Sequence, residues 1–355
     1  MSATDRLCAK SSAEADPLFL HVSASRLITA LRTALAALPS APVRLAVGLS
    51  GGIDSTMLAV TATELARESS IPLCFFHVHH GLQVAADDWA RQVQALGALL
   101  TVSVYEARAK ISELAGQGIE AAAREARYQA FVNLAHEHQV DHILLAHHRD
   151  DQAETVLLRL LRGAGVQGMA AMAPHTRRDG VVYVRPWLEI DRCHILAAGE
   201  HFAYIHDWFA VNDPTNSDPC YTRAAVRTVL TPVLNQRWPG WQVIVARHAR
   251  QMADAAEILA EVAHADLNSL DLADEGRSFS LAKWRGLSRA RQVQVLRYWL
   301  ATQGTRMPSD ARLSNLSRQL MQLHSLGHDR LMKVEHAGHV IYCHRGRVWI
   351  DTLRR

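Results

Sequence analysis

The stretch Arg44–Ser55, with the sequence RLAVGLSGGIDS, joins a short apolar run to a glycine-rich turn. Arg44–Leu49 has the length and composition of a buried strand, and the residues after Ser55 follow a helical pattern. Glycines at a strand-to-helix turn let backbone N–H groups converge on a phosphate, and the helix N-terminus adds partial positive charge. This stretch therefore predicts a phosphate-binding β–α unit, although a plain strand-to-helix turn would use similar residues.

The same alternation continues along the first half of the chain. Further strands are predicted at residues 72–80, 101–107 and 142–148, and helices at 25–38, 87–100, 118–138 and 151–161. Residues 181–190 form either another strand or the border of a site. Strands that alternate with helices predict an α/β fold with a doubly wound parallel sheet.

The second half has a different pattern. After a turn-rich segment at 213–219, helices are predicted at 223–234, 243–265, 281–302 and 308–323, followed by short strands with a turn at Arg345-Gly346. We therefore expect a disordered lead-in over 1–20, a catalytic domain over 21–235, and over 236–355 a smaller α-rich module with a short β ending.

The overall charge hides an asymmetry. The 355-residue chain has a formal net charge of only +3, but Trp284–Arg355 contains 13 Lys and Arg against 4 Asp and Glu. Such a basic segment fits either a polyanionic partner or a solvated helical surface. No apolar run is long enough to span a bilayer, and no secretory signal or C-x-x-C pair is present, so we expect a cytoplasmic protein without a membrane partner.

Two common phosphate motifs can be tested against the glycine turn. Neither G-x-x-x-x-G-K-[ST] nor G-x-G-x-x-G is present, because no lysine follows the turn and its glycines are adjacent. The hydroxyls of Ser50 and Ser55 can donate to phosphate oxygens. Asp54 lies beside the expected anion, and it therefore needs a cation or a fixed frame of amides to balance its charge.

A second cluster of polar residues, HHRDDQAET, covers His147–Thr155. Helical spacing predicts that Asp151 and Glu154 share a face that lines a cleft, while the opposite face, with Leu160 and Leu161, is buried. Two carboxylates there suit a cationic amine or a metal, but an acidic first helical turn is also common without any ligand. A metal-dependent phosphohydrolase, which would use His77, His79 and His80 with His147 and His148, stays an alternative.

These motifs resemble a known family. The segment VGLSGGIDS is similar to the pyrophosphate loop of the ATP pyrophosphatases, which split ATP into AMP and pyrophosphate. More specific resemblance, to the tRNA(Ile)-lysidine synthetases, comes from VHHGL at 78–82, EAAAREARY at 120–128, HHRDDQAETVLLRLLRGAG at 147–165, RPWL at 185–188, DPTN at 213–216 and YTR at 221–223. It covers residues 44–234, and 288–312 is similar to the family's substrate-binding module.

The resemblance implies a fold like that of the adenine nucleotide alpha hydrolases and a specific reaction. A cytidine of isoleucine tRNA attacks ATP, pyrophosphate leaves, and the amine of free L-lysine then displaces AMP. The reaction requires ATP, magnesium is the expected metal, and a homodimer is one possible oligomeric state. The family motifs assign pyrophosphate binding to Ser50, Gly51, Gly52, Ile53, Asp54 and Ser55, lysine recognition to Asp151 and Glu154, and positions near the phosphates or lysine to Arg127 and His147.

The tRNA contacts are assigned to two groups of arginines. Arg223 and Arg227 match the family's R-N-x-x-R motif, but Ala224 replaces its asparagine, which leaves the local hydrogen bonding open. Arg297, Arg306 and Arg312 belong to the basic C-terminal segment. Two alternatives remain, namely another tRNA-modifying enzyme of the same superfamily and an RNA-binding protein without catalytic activity. The thiolating relatives use a catalytic cysteine, often in C-x-x-C, and no such pair is present here.

Overall fold

The computed structural model describes residues 17–79, 86–109, 119–213, 218–323 and 331–353, without the side chains of 17–20 and 119–121. Most of the expected lead-in over 1–20, the residues His80–Leu82 and the segment 214–216 lie outside these ranges. The chain forms two compact units, and the boundary between them falls between Gln251 and Met252. The sequence-based boundary at residue 235 stays a prediction of where the catalytic domain ends.

The first unit is built on a six-stranded sheet with the order β3-β2-β1-β4-β6-β5. Its strands are β1 (Leu45–Gly48), β2 (Leu73–His79), β3 (Val104–Arg108), β4 (His142–Leu144), β5 (His175–Arg178) and β6 (Val181–Val184). Its helices are α1 (Pro17–Ala36), α2 (Ile53–Ser69), α3 (Ala86–Leu100), α4 (Ile119–Glu137), α5 (Arg149–Leu161), α6 (Val166–Met169), α7 (Arg192–His206), α8 (Thr222–Ala225) and α9 (Thr231–Arg237), with a π turn at Val226–Leu230.

Alternating side chains give this sheet a core on each face. Val47 and Leu144 pack into one cluster with Leu58, while Ala46 and Ile143 pack into the other. Continuous apolar strands of this kind are typical of parallel sheets that are covered on both sides. The predicted α/β fold is confirmed, with β5 as one antiparallel strand at the edge.

The strand order places a crevice at a defined position. Strands β1, β2 and β3 extend to one side, and β4 pairs in parallel with β1 on the other side. The chain therefore changes direction between β1 and β4, and loops diverge at their carboxyl ends. Ligands of doubly wound sheets bind at such a switch point. The glycine turn follows β1, and the His147–Thr155 cluster follows β4.

Helix α7 was not predicted from the sequence, and it packs closely behind the glycine turn. A Cβ added to Gly199 would lie 2.3 Å from Cδ1 and 2.8 Å from Cγ1 of Ile53, the first residue of α2. Only a glycine at this position lets the two helices approach without displacing Ile53. The glycine therefore supports the loop from behind.

We expect Gly199→Ala to lower the free energy of unfolding by about 1–3 kcal/mol, the usual cost of overpacking a core. Thermal unfolding monitored by circular dichroism measures this effect. Gly165→Ala is the matched control, because a Cβ at Gly165 meets nothing within 4 Å. Equal melting temperatures for the two variants would contradict the close packing of α7 on α2.

The second unit combines helices with a four-stranded antiparallel sheet of order β7-β10-β9-β8. Helix α10 (Trp241–Ser269) crosses the boundary between the units, and the elements that follow are α11 (Leu281–Arg285), α12 (Arg289–Thr302), α13 (Asp310–Gln322), β7 (Ser278–Ser280), β8 (Met332–His336), β9 (His339–His344) and β10 (Arg347–Thr352). Trp284 and Trp299 are fully buried between helices and sheet. Arg345 and Gly346 both have positive φ, as a two-residue hairpin turn requires, so the predicted turn is confirmed.

No helix in the described part of the chain is long and apolar enough to cross a membrane.

Candidate active site

The glycine turn Ser50–Ser55 leaves β1 and enters α2 with backbone groups available to an anion. Gly51 has a φ of 89°, and a Cβ there would lie 2.8 Å from Val211, so only glycine fits. Val211 N in turn donates to Gly51 O at 2.9 Å, which clamps the turn. Gly52 caps α2 without a side-chain hydrogen bond. The first amides of α2 therefore point outward at the positive end of the helix.

Two serines stabilise this turn internally. The hydroxyls of Ser50 and Ser55 lie 3.0 Å apart, and Ser50 N donates to Ser55 Oγ at 3.2 Å. Ser55 Oγ also donates to Gly52 O at 3.0 Å. Gly52 N makes a long contact of 3.4 Å with Ser50 Oγ. An entering phosphate could replace these weak internal contacts with stronger charge-assisted hydrogen bonds.

Asp54 has polar partners on two other elements. Its carboxylate accepts from Nε and Nη2 of Arg192 at 3.3 and 3.4 Å. Nε2 of His148 lies 3.8 Å from Asp54 Oδ1. These contacts are long, and the side chain of Asp54 is about a quarter exposed, at 27%. Asp54 is therefore held in place but keeps oxygens available to a ligand.

The burial predicted for α5 was wrong at the end of the helix, where Leu160 and Leu161 are exposed, and right for Ala153 and Val156, which are buried. Asp151 and Glu154 are buried, at 8% and 4% exposure, whereas Leu160 and Leu161 are 57% and 75% exposed. Burial changes along the helix axis, because the first two turns of α5 enter the crevice and the last turn leaves it. The carboxylates can be buried because arginines from a distant segment neutralise them.

A fork of charge-assisted hydrogen bonds connects α5 to the segment after α8. Arg227 donates from Nη2 to Asp151 Oδ1 at 2.7 Å and from Nε to Glu154 Oε1 at 2.6 Å. Arg223 lies 3.4 Å from Glu154 Oε2 and donates to Thr155 Oγ1 at 2.8 Å. The two arginines predicted to bind tRNA thus face the two carboxylates predicted to bind lysine.

The two carboxylates have opposite protonation tendencies. Burial alone would raise the pKa of Asp151, but His148 and the two arginines together outweigh it and lower this pKa to about 2. Burial raises the pKa of Glu154 above its usual value despite its bond to Arg227. Glu154 Oε2 is buried without a hydrogen-bond partner. Asp151 is therefore a fixed negative charge, and Glu154 is the better proton acceptor.

Arg127 and His147 present unpartnered nitrogens close to this cluster. Arg127 Nε and His147 Nδ1 are both buried without a hydrogen-bond partner. Burial, reinforced by Arg124, lowers the pKa of Arg127. Burial lowers the pKa of His147 to about 3, so its imidazole is neutral at physiological pH. Buried polar groups without partners in a crevice are typical of a binding site.

A cavity of about 190 Å³ opens beside Glu154 and Arg227. Its lining residues are His148, Asp150, Glu154, Arg192, Arg227, Thr231, Trp241 and Gln242. His148 Nε2 lies 3.4 Å from Asp151 Oδ2 as well as 3.8 Å from Asp54 Oδ1, so this cavity-lining histidine lies between the glycine turn and α5. Sequence reasoning missed Arg192, Trp241 and Gln242, because no local motif marks them.

Buried neutral histidines make the stability of the first unit sensitive to acid. Arg26 donates to His194 Nε2 at 3.1 Å, so the ring proton lies on Nδ1, 3.0 Å from Ser23 Oγ. Burial and the charge of Arg26 lower the pKa of His194, and burial lowers that of His147. When the pKa of a histidine is lower in the folded state than in the unfolded chain, the folded state is fully stable only above the unfolded pKa. It loses stability as the pH falls below that value.

We expect the melting temperature to fall as the pH drops from 7.5 to 5. Below about pH 6.5 the unfolded chain binds protons that the folded chain excludes, which costs up to about 1.4 kcal/mol per pH unit for each such histidine. His194→Gln should flatten the curve, whereas replacing the exposed His175 by Gln should not. A melting temperature that is constant across this range would refute the neutral buried state.

The arginines predicted to bind tRNA in the second unit lie on its surface. Arg297 pairs with Asp310 at 2.9 Å. Arg306 and Arg312 are exposed, the first before α13 and the second in its first turn.

The histidines that favoured a metal-dependent phosphohydrolase have other partners. His77 Nδ1 lies 2.8 Å from Leu49 O, and His79 Nε2 lies 3.1 Å from Asp87 Oδ1. His80 lies outside the described residues. Within the ranges that the structure covers, no three His, Cys, Asp or Glu side chains form a group that could hold a metal.

Comparison with known proteins assigns both units. Residues 24–234 match the PP-loop domain, and residues 279–349 match the TilS substrate binding domain. Among solved structures, the U34-tRNA thiolase NcsA from Methanococcus maripaludis is 17% identical, with a TM-score of 0.54, covering 66% of this chain and 80% of that one. This likeness supports the fold. Together the fold, the glycine turn and the domain match define an ATP-utilising protein of the PP-loop class.

Closer relatives are much more specific. The tRNA(Ile)-lysidine synthase of Bordetella bronchiseptica is 65% identical over 318 residues, which cover 90% of this chain and 92% of the relative. That of Bordetella pertussis is 64% identical over 321 residues, covering 90% and 100%. That of Pseudomonas aeruginosa is 41% identical, covering 74% and 59%. The chain belongs to the tRNA(Ile)-lysidine synthase family and is a ligase.

Proposed function

We propose that this enzyme joins the side-chain amine of free L-lysine to the wobble cytidine of isoleucine tRNA at the expense of ATP. In the first step the cytidine carbonyl oxygen attacks the α-phosphate, and pyrophosphate leaves. In the second step the lysine nitrogen attacks the activated carbon, and AMP leaves. The observation that carries the proposal is the position of His148, which lines the cavity and lies 3.8 Å from Asp54 of the glycine turn and 3.4 Å from Asp151.

The glycine turn is suited to the first step. The outward amides at the start of α2 and the hydroxyls of Ser50 and Ser55 would hold the β- and γ-phosphates. A cradle of fixed N–H groups stabilises the charge that develops on the departing pyrophosphate. Arg192, which now contacts Asp54, is placed to add a positive charge at the same mouth. Arg127, whose buried Nε has no hydrogen-bond partner, is proposed as a further phosphate contact.

Asp54 also fits the expected magnesium ion. Magnesium in nucleotide sites is commonly held by one or two carboxylates together with substrate phosphates, and it neutralises phosphate charge. Asp54 offers such a carboxylate, loosely held at the turn. When bound, the metal would supply electrostatic stabilisation of the leaving group.

The carboxylate pair is suited to the second step. Asp151 keeps its negative charge and attracts the ammonium of lysine, which must then lose a proton to become a nucleophile. Glu154, with its raised pKa and an Oε2 that accepts no hydrogen bond and lies 3.4 Å from Arg223, is placed to accept that proton. Arg227 occupies oxygens of both carboxylates, so the entering ammonium and Arg227 compete for the same bonds.

The arginines of the second unit are proposed to hold the tRNA backbone. We expect the triple variant Arg297→Gln, Arg306→Gln and Arg312→Gln to bind tRNA more weakly, with the slope of log K against log salt reduced by about 1 for each phosphate that is no longer neutralised. Filter binding between 50 and 200 mM salt measures it. Replacing the exposed Arg32 of the first unit, which pairs with Glu68, by Gln is the control. An unchanged slope would show that these three arginines do not contact the tRNA phosphates.

The decisive experiment is incorporation of radiolabelled lysine into isoleucine tRNA. Labelled tRNA should appear only with ATP, and it should be absent with tRNA whose wobble cytidine is replaced. Pyrophosphate release without lysine would mark the adenylated intermediate. A folded preparation that consumes ATP but transfers no lysine would refute the proposal in favour of another tRNA-modifying activity.

A further inference from the structure

The outer face of the antiparallel sheet carries a stacked pair of aromatic rings. Tyr342 on β9 and Trp349 on β10 are directly opposite each other in the register. Their ring centroids are 5.3 Å apart, with 20° between the ring planes. Both side chains remain partly exposed to solvent. We refer to this pair as the aromatic pair.

Strand alternation explains why these rings are not part of the core. Ile341, Cys343, Val348 and Ile350, the neighbours of the two rings along β9 and β10, point inward and pack against the helices of the second unit. The sheet is therefore already stabilised from its inner face. Partly exposed aromatic rings on the outer face form a surface patch that the inner packing does not require.

Basic side chains lie near the aromatic pair in the sheet register, together with the carboxylate of Asp351, which accepts from Trp349 Nε1. Lys333 on β8 is the direct neighbour of Tyr342. Further along β9 and β10, His344 is opposite Arg347. Lys333 lies 2.7 Å from Glu335, and Arg347 lies 2.9 Å from Asp271, so these cations are partly neutralised by their own carboxylates. Stacking must therefore provide most of the affinity at this face, and charge provides attraction over distance.

The position of the aromatic pair within the chain indicates its partner. It lies inside the segment 279–349 that matches the TilS substrate binding domain. The surrounding region Trp284–Arg355 carries a net excess of positive charge, with 13 Lys and Arg against 4 Asp and Glu. A polyanion with exposed aromatic bases matches both features, because unpaired bases stack on aromatic side chains while phosphates meet cations.

We propose that Tyr342 and Trp349 form a stacking site for an unpaired nucleotide of the tRNA substrate. The inference rests on the proposed function, since it takes tRNA as the partner, and it adds a contact that does not depend on arginine. The indole N–H of Trp349 donates to Asp351 at 3.2 Å, which fixes the ring. A pre-oriented ring loses little entropy when a base stacks on it.

Paired substitutions in the full-length protein test the stacking site. Trp349→Leu and Tyr342→Leu remove a ring but keep an apolar side chain, whereas Trp349→Phe and Tyr342→Phe keep a ring. We expect each leucine variant to bind isoleucine tRNA about five- to tenfold more weakly, and each phenylalanine variant to bind within about twofold of wild type. The loss should be the same at every salt concentration, because stacking releases no counterions.

Ultraviolet cross-linking of the unmodified protein to tRNA gives a second measurement that does not depend on variant folding. Mass spectrometry should find a nucleotide adduct on Tyr342 or Trp349, and unstructured RNA should compete for it better than duplex RNA. Equal affinities of the leucine and phenylalanine variants for tRNA, with no adduct, would overturn the stacking site. The exposed aromatic face would then be a candidate contact for a protein partner. If wild type still attaches lysine, only the stacking site fails; if it neither binds tRNA nor attaches lysine, the proposed function fails.

Discussion

Asp54→Asn should reduce ATP-dependent pyrophosphate release at least a hundredfold, about the size of effect seen when one preorganised electrostatic group is removed from an active site. The substitution keeps the shape of the side chain and removes only its charge. The amides of the turn can still hold phosphate, so nucleotide binding should weaken less than turnover. The half-maximal magnesium concentration should also rise, because the variant has no carboxylate at the position that fits the metal.

The measurement is release of pyrophosphate with saturating tRNA, coupled to a phosphate sensor, together with a magnesium titration. Asp88→Asn is a matched control, since Asp88 is an exposed aspartate on α3 that pairs with a neighbouring arginine on the same helix. A rate for Asp54→Asn within about threefold of wild type would show that the turn does not use this carboxylate.

Asp151→Asn should raise the KM for lysine at least about thirtyfold and change the KM for ATP by less than about threefold, because removing one member of a buried, hydrogen-bonded charge pair costs about 2–5 kcal/mol. Because the pKa of Asp151 is lowered to about 2, its carboxylate stays charged throughout the working pH range. A change of pH within that range therefore cannot reproduce the effect of the substitution. Glu154→Gln should instead lower kcat, because glutamine cannot accept the proton of the lysine ammonium.

Steady-state kinetics with lysine and ATP varied separately test this difference. Glu125→Gln is the control, because Glu125 is a half-exposed carboxylate of the first unit that pairs with Arg178. Equal increases in both KM values for Asp151→Asn would place this carboxylate outside the amine site. A pH–rate profile that is the same for Glu154→Gln and wild type would exclude Glu154 as the proton acceptor.

The parts of the fold that depend on local patterns could be predicted from the sequence. Strand β1 and helix α2 flank a turn in which Gly51 is required by its positive φ and by contact with Val211. The requirement for a positive φ is local to the turn, so the glycine residues alone were enough to predict it from the sequence. The hairpin at Arg345-Gly346 is local in the same way.

The features that sequence reasoning missed depend on distant partners. The burial of Asp151 and Glu154 follows from Arg227, which lies 76 and 73 residues further along the chain. Helical periodicity carries no information about such a partner, so it could not predict how deeply the two carboxylates are buried. Strand β5 has the polar sequence HTRR and was not predicted, because an edge strand needs little apolar surface.

The fork of Arg227 gives the unloaded enzyme its own counter-ion. With the guanidinium bound to both carboxylates, the proposed amine site has little net charge to attract stray sodium, potassium or polyamines. A ligand gains from entering only if its ammonium and its other contacts together outweigh the bonds that Arg227 gives up. In the proposed site an ammonium must therefore displace Arg227 before Asp151 can hold it, which disfavours ligands that offer charge alone.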